Sequence, residues 1–297
     1  MQQEVLAELV GAHKSYGSTT ALTGLDLSVN RGELLAVLGQ NGAGKSTAIS
    51  LLLGLQQPTQ GVARLFGESP NQIRVRRHVG VMMQEVSLPV ALKVRELIEL
   101  VSSYYANPLS IDRVIEMTDV GAIAGKLYGK LSGGQKRQAQ FAMAVCGQPR
   151  LLFLDEPTVG LDIDARSAMW RTVRELVKQS CSVVLTTHYL EEAEALADRV
   201  AVVAKGRLVA SGSMQEILAL VDRKRISCVT RLTLAEVAGW EGVQSVSLDA
   251  GHLQVIATNS DAVLRQLLAI DPELRDVEVK RAGLAEAFTQ LTQEVAQ

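Results

Sequence analysis

Cysteine, aromatic side chains and long apolar runs are all scarce in this chain, and each scarcity removes a class of protein. Only three cysteines occur, Cys146, Cys181 and Cys228, with no C-x-x-C pair. That excludes a disulfide framework and a cysteine zinc site, and it fits a reducing cytosol with the thiols buried as small apolar groups. Aromatics make up 4% against a hydrophobic content of 47%, so the core is expected to be aliphatic, as in α/β proteins. No apolar run approaches the roughly 18 residues that a membrane-spanning helix needs. The opening Met1-Gln2-Gln3-Glu4 lacks the basic and apolar regions of a secretory signal. Neither sign of charge dominates. With 30 Lys+Arg against 32 Asp+Glu, a formal net charge of −2, the chain carries no electrostatic footprint for nucleic acid or a strongly anionic membrane surface. Internal repeats and low-complexity segments are absent too. At 297 residues the chain can hold one large domain and a small one.

What is present begins with Gly39-Gln40-Asn41-Gly42-Ala43-Gly44-Lys45-Ser46-Thr47, which fits the phosphate-binding loop pattern G-x-x-x-x-G-K-[ST]. A buried strand is predicted ahead of it over Leu34–Leu38 and an apolar helix after it from Ala48 to Leu55, the context the motif requires. The glycines can adopt backbone angles closed to other residues, letting amides curl around phosphate oxygens while the following helix aims its positive end at the same anion. Lys45 is expected to reach the β/γ-phosphates and Ser46 to place its hydroxyl on Mg²⁺.

Further along, strands are expected over Val5–Val10 and Leu22–Val29, joined by a polar loop with Lys14-Ser15-Tyr16-Gly17. Tyr16 can stack on a base, though pattern alone favours an exposed loop tyrosine. Strands follow over Gly61–Phe66 and His78–Met83, the second ending at Gln84. A strand-end amide beside a phosphate loop can accept a metal and donate to water; alone it reads as a solvated loop residue. Helices over Val94–Tyr105 and Ile111–Val120, broken near Pro108, suggest an inserted helical subdomain over about 86–146. Leu131-Ser132-Gly133-Gly134-Gln135 opens a helix running from Lys136 to about Cys146, either a second anion site or a simple glycine cap. The run Leu151–Leu154 delivers Asp155 at a strand end, where a carboxylate orders Mg²⁺ beside a phosphate loop. Glu156, pointing the other way, can polarise an attacking water. Pro157 and Gly160-Leu161-Asp162 then form an active-site loop. The strand Ser182–Thr187 ends at His188, on the edge where doubly wound sheets bind ligands. A helix (Glu191–Ala197), a strand (Arg199–Ala204) and a hairpin return (Leu208–Ala210) follow, and Ser213 to Glu216 is a capping box that opens another helix. The charged run Asp222-Arg223-Lys224-Arg225 marks the expected boundary. Beyond it, βαββαβα patterning with a turn at Asp249-Ala250-Gly251 suggests a small α+β sandwich without catalytic groups.

Taken together, the residues from about 4 to 218 resemble the ATP-binding subunit of an ABC transporter. Leu131-Ser132-Gly133-Gly134-Gln135 is identical to that family's signature sequence and lies in family order between the phosphate loop and the Leu-Asp-Glu strand end. The resemblance implies a phosphate-loop α/β sheet core, an N-terminal antiparallel β subdomain, a helical signature subdomain and ATP with Mg²⁺ as ligands. By resemblance Tyr16 stacks on adenine, Gln84 touches Mg²⁺ and the attacking water, Glu156 is the general base, Gly160-Leu161-Asp162 is the D-loop, and His188 contacts the γ-phosphate. Many members have proline after the D-loop aspartate; here it is Ile163. Family practice implies that two copies pair head to tail, each ATP lying between one copy's phosphate loop and the other's Ser132–Gln135, and that motion passes near Gln84–Val94 to a separate membrane permease. The expected place is therefore the cytoplasmic face of the membrane. The C-terminal segment, 222–297, looks like the extension on bacterial export-type subunits, including drug-efflux ones, which makes 1–221 the ATPase domain. A soluble, non-transport ATPase of the same superfamily is the rival. Repair members carry a long coiled coil between phosphate loop and signature, which is missing here, and translation members usually hold two cassettes. A module that binds without hydrolysing would not need Glu156 and His188.

Overall fold

Residues 4–84, 86–219, 224–281 and 284–294 are described by the computed structural model of the chain. Two long strands, β1 (Val5–Tyr16) and β2 (Thr19–Asn30), open it as a bulged antiparallel hairpin. Lys14, Ser15 and Tyr16 belong to the strand. The expected polar loop shrinks to a tight turn at Gly17 (φ 58°) and Ser18, because cross-strand pairing continues to Tyr16 and Thr19.

The chain then enters β3 (Leu34–Leu38), α1 (Lys45–Leu52), β4 (Gln60–Leu65), a short α2 (Ile73–Arg76) and β5 (Val79–Met82). The helical insert consists of α3 (Val94–Ser102), α4 (Ile111–Met117), a 3₁₀ turn (Tyr128–Lys130) and α5 (Gly133–Val145). After it come β6 (Leu151–Asp155), α6 (Ile163–Lys178), β7 (Ser182–Thr187), α7 (Leu190–Leu196), β8 (Arg199–Ala204) and β9 (Arg207–Ser213).

These elements make two sheets. One is antiparallel, in the order β2-β1-β4; the other runs β5-β6-β7-β3-β8-β9 and is parallel except for β9. The parallel strands β3, β6 and β7 are buried along their whole length, as a sheet covered on both faces requires. Period-two alternation splits their side chains between two cores. Leu34, Leu152, Leu154, Val183 and Leu185 pack with the helical insert. Leu35, Val37, Phe153 and Val184 pack toward α1 and the antiparallel sheet. The carboxyl ends of β3, β5, β6 and β7 lie side by side, and the chain leaves each of them into a motif singled out above.

Contacts divide the chain between Ser213 and Met214, ahead of the charged run; Asp222 and Arg223 lie outside the described residues. The second unit begins with α8 (Met214–Ala219) and continues through β10 (Lys224–Val229), α9 (Leu234–Ala238), β11 (Val243–Asp249), β12 (His252–Ala257), α10 (Ser260–Ile270), β13 (Arg275–Arg281) and α11 (Leu284–Glu294). Its antiparallel sheet has the order β11-β12-β10-β13. Ile226, Cys228, Leu253 and Val255 alternate inward to meet Val237, Val263 and Leu267 from the helices.

Candidate functional site

The loop between β3 and α1 is shaped by three glycines that act for two different reasons. Gly42 and Gly44 have φ of 80° and 107°, the left-handed region that favours glycine. Gly39 lies outside that region, so angular freedom is not its role. A Cβ on it would lie 2.6 Å from the Val203 carbonyl oxygen; Gly39 is there because the loop leaves the sheet against β8. Gly206 N donates to Ala43 O and Thr23 N to Gly206 O, both at 2.9 Å, tying the loop to the strands around it.

Lys45 is buried and its Nζ donates to Gly39 O at 2.6 Å and Gln40 O at 3.1 Å, so the ammonium sits in the curve of the loop. Burial pushes its pKa down from the usual lysine value, and the nearby Glu156 and Asp155 carboxylates push the other way. Ser46 Oγ stands 3.5 Å from Asp155 Oδ1, which links the start of α1 to the end of β6. Asp155 also accepts from the Thr186 hydroxyl of β7.

Glu156 is the first residue beyond β6 and has φ 49°. Strand alternation therefore does not set its direction; a left-handed turn does. Its carboxylate meets two of the other singled-out residues. Oε1 is 3.1 Å from His188 Nδ1, and Oε2 accepts from Gln84 Nε2 at 3.4 Å. Residues distant in sequence, delivered by the ends of β5, β6 and β7, thus converge on one carboxylate beside the phosphate loop. The His188 imidazole leans on Tyr189, with ring centroids 4.2 Å apart, and stays partly exposed.

Ser132 caps α5 in a capping box. Its Oγ accepts from Gln135 N and Gln135 Oε1 accepts from Ser132 N, both at 3.2 Å. The box draws the helix start back to Gly133, earlier than the expected Lys136. Ser132 and Gly133 remain exposed. Gly134 does something else: a Cβ there would lie 2.8 Å from the Gly160 carbonyl oxygen, so the signature packs on the D-loop of its own chain. Asp162 caps α6 through a 2.8 Å bond from Ala165 N, and Ile163 takes the first helical position, where proline is also at home. The missing proline leaves the helix start intact. Among the described residues no hydrogen bond joins Ser132–Gln135 to the phosphate loop.

Tyr16 ends β1, 46% exposed as a residue, with Lys14 Nζ 5.2 Å from its ring centroid. The same hairpin sends Ala21 and Leu22 against Gly44, so it borders the loop. Three features had no sequence signal. Arg137 of α5 donates to Met83 O at 3.1 Å, joining the signature helix to the segment before Gln84. Glu192 is a buried acid held by Trp170 Nε1 at 3.1 Å, its pKa raised by burial. Thr186 is the third; a threonine in a β-branched run announces only a strand.

Known proteins place this arrangement in a class. The ABC transporter family model matches residues 22–159. A daunorubicin resistance ATP-binding protein of Streptomyces coeruleorubidus is 35% identical, with 95% of this chain and 94% of that protein covered. The chain belongs to the ATP-binding subunits of ABC transporters, a family of ATPases. A Nod factor export ATP-binding protein of Rhizobium sp. strain N33 is 33% identical over 95% of this chain and 92% of its own. Among solved structures, the ATP-binding subunit of an ABC transporter covers 72% of this chain and 92% of its own length, with TM-score 0.67 and 26% identity. A dimeric ATP-binding cassette bound to ADP and phosphate shares the fold, with TM-score 0.65, 23% identity, and 70% and 98% coverage.

Proposed function

We propose that this chain powers export through a separate membrane permease, working as a head-to-tail pair of copies around two ATP molecules. The relatives that match over nearly their whole length are named as ATP-binding proteins, which supports a permease on another chain and, where ATP is supplied, a peripheral place at the cytoplasmic face; among the described residues no helix is long and apolar enough to cross a membrane. Full-length likeness to subunits named for drug resistance and Nod factor export supports the direction of transport. The exposed Val86, Val90, Leu100 and Tyr104, which lie in and just beyond the segment after Gln84, offer the permease an apolar surface.

The observation that carries the hydrolytic reading is the convergence of Gln84 and His188 on the Glu156 carboxylate. In this reading the loop 39–47 binds the phosphates through its amides and Lys45. Glu156 accepts the proton of the attacking water, Gln84 orients that water, and His188 holds Glu156 and meets the γ-phosphate. Tyr16 stacks on adenine. Ser132–Gln135 and Asp162 meet the nucleotide held by the partner copy, and closing the pair excludes water from the reaction. The oxygen donors of Ser46, Asp155 and Gln84 suit Mg²⁺, which takes few protein ligands and shares the rest with phosphates and water. When bound, it offsets the charge on the β- and γ-phosphates.

Glu156→Gln tests this reading. The variant is expected to bind ATP, to lose hydrolysis by on the order of 10²–10⁴-fold, and to persist as an ATP-bound dimer in size-exclusion chromatography. A variant that stays monomeric with ATP while hydrolysing at the normal rate overturns both the base and the pairing. Co-purification with a membrane protein tests the transport role.

A further inference from the structure

Thr186, in β7, holds both acids of the site. It is fully buried and lies directly across the sheet from Asp155. Its hydroxyl donates to Asp155 Oδ1 and accepts from Glu156 N–H at 3.2 Å. The same N–H also reaches the Thr186 carbonyl at 3.0 Å. A hydroxyl carries one proton and two lone pairs, so the directions are fixed: Glu156 N–H to Oγ1, and Oγ1–H to the Asp155 carboxylate. One side chain thereby anchors the carboxylate of Asp155 and the backbone of Glu156.

The strand alone does not call for that hydroxyl. Valine has the same branched shape and serves a buried strand as well, as Val183 and Val184 do earlier in β7. A buried hydroxyl is unfavourable unless bonded. The bonds it makes here act where the backbone is least comfortable, because Glu156 adopts φ 49° and such conformations persist only when their surroundings hold them. The Glu156 carboxylate is presented to Gln84 and His188 from that turn. Among the described residues, the other hydrogen-bond approach to Asp155 Oδ1 is the longer 3.5 Å one of Ser46.

We infer that Thr186 is a positioning residue for ATP hydrolysis: its hydroxyl sets the rotamer of Asp155 and the backbone turn that aims Glu156. The inference rests on the assignment of Glu156 as base and Asp155 as the Mg²⁺ carboxylate. Without the hydroxyl, Asp155 is free to turn and the Glu156 peptide keeps a single acceptor. Displacement of this kind lowers turnover while leaving the phosphate loop that binds ATP intact.

Thr186→Val, Thr186→Ala and Thr186→Ser in the full chain decide it. Expected for Val and Ala is a fall in kcat of about 10- to 100-fold, with KM for ATP and the affinity for a fluorescent ATP analogue without Mg²⁺ within about twofold of the parent. The Mg²⁺ concentration that half-saturates analogue binding should rise. Serine, which keeps the hydroxyl, should restore kcat to within about threefold of the parent. Should the valine variant fail to fold in thermal melts, the alanine–serine comparison carries the test. Equal kcat in alanine and serine variants, whether both normal or both low, overturns the inference, since the hydroxyl would then be irrelevant. Glu156→Gln is measured alongside. Its loss of hydrolysis together with normal turnover in Thr186→Ala removes the role of Thr186 and leaves the base assignment standing. Survival of hydrolysis in Glu156→Gln removes both.

Discussion

At the residue scale, Lys45 serves the loop before it serves a ligand. Its ammonium bonds Gly39 O and Gln40 O, so Lys45→Ala loses a charge-assisted phosphate contact and leaves two inward-facing carbonyls without their donor. ATP affinity should fall by on the order of 100-fold or more, measured by titration calorimetry; wild-type affinity in the folded variant would rule out this loop as the phosphate site. The cysteines give an independent reading of the interior. Burial pushes the Cys181 thiol up to about 12 from 9.0, and Cys146 and Cys228 are raised by burial as well. All three are buried, so maleimide labelling at neutral pH should be slow in the native protein and fast in denaturant. The sign of the linkage follows. A thiol whose folded pKa exceeds its unfolded value stabilises fully below about 9, and that contribution is lost as pH rises toward about 12. Denaturant midpoints measured from pH 8 upward should therefore fall with pH, and rapid labelling of native protein would contradict the burial.

At the element scale, helix starts position the chemistry. The capping box at Ser132 and the N-cap at Asp162 fix the first turns of α5 and α6, and Gly134 lets those two starts approach each other. Gly134→Ala forces a methyl to 2.8 Å from Gly160 O, so the D-loop must shift. Hydrolysis should drop by about 10-fold or more while ATP binding and the far-UV circular dichroism spectrum hold; normal turnover would show that this approach is dispensable. The strands and helices were legible because their signals are local. Leu34–Leu38 and residues 183–187 are uninterrupted apolar or β-branched runs. What sequence could not give is what a side chain touches across the fold. The spacing of Gly39 matched a loop of unusual angles, yet its real constraint is Val203, which no local pattern reports. Tyr16 looked like a loop residue because pairing beyond Val10 depends on register with β2. The resemblance set Gln84, Glu156 and His188 around one nucleotide, but that Gln84 and His188 both contact the Glu156 carboxylate was not expected, since no spacing rule links the ends of three strands.

At the scale of the whole molecule, every residue placed in the site belongs to the unit ending at Ser213, which closes its own two sheets. The C-terminal unit has a separate core. We propose that 222–297 acts as an accessory domain, and a chain ending at residue 221 is expected to bind ATP with unchanged affinity. Loss should appear in dimer lifetime or in coupling to the permease. Thermal unfolding and ATP titration of that truncation decide: a folded fragment unable to bind ATP would place an overlooked site beyond the boundary. The strand order has a further consequence, for biosynthesis. β3 lies between β7 and β8, and Gly39 is seated against Val203. The ribosome therefore delivers the phosphate-loop sequence early, but the strands that give it a shape emerge only after most of the unit has been made. Such distant pairing is slow to form, so a nascent chain arrested before β8 should gain no protection from ATP against protease, and until then its apolar strands stay open to wrong partners.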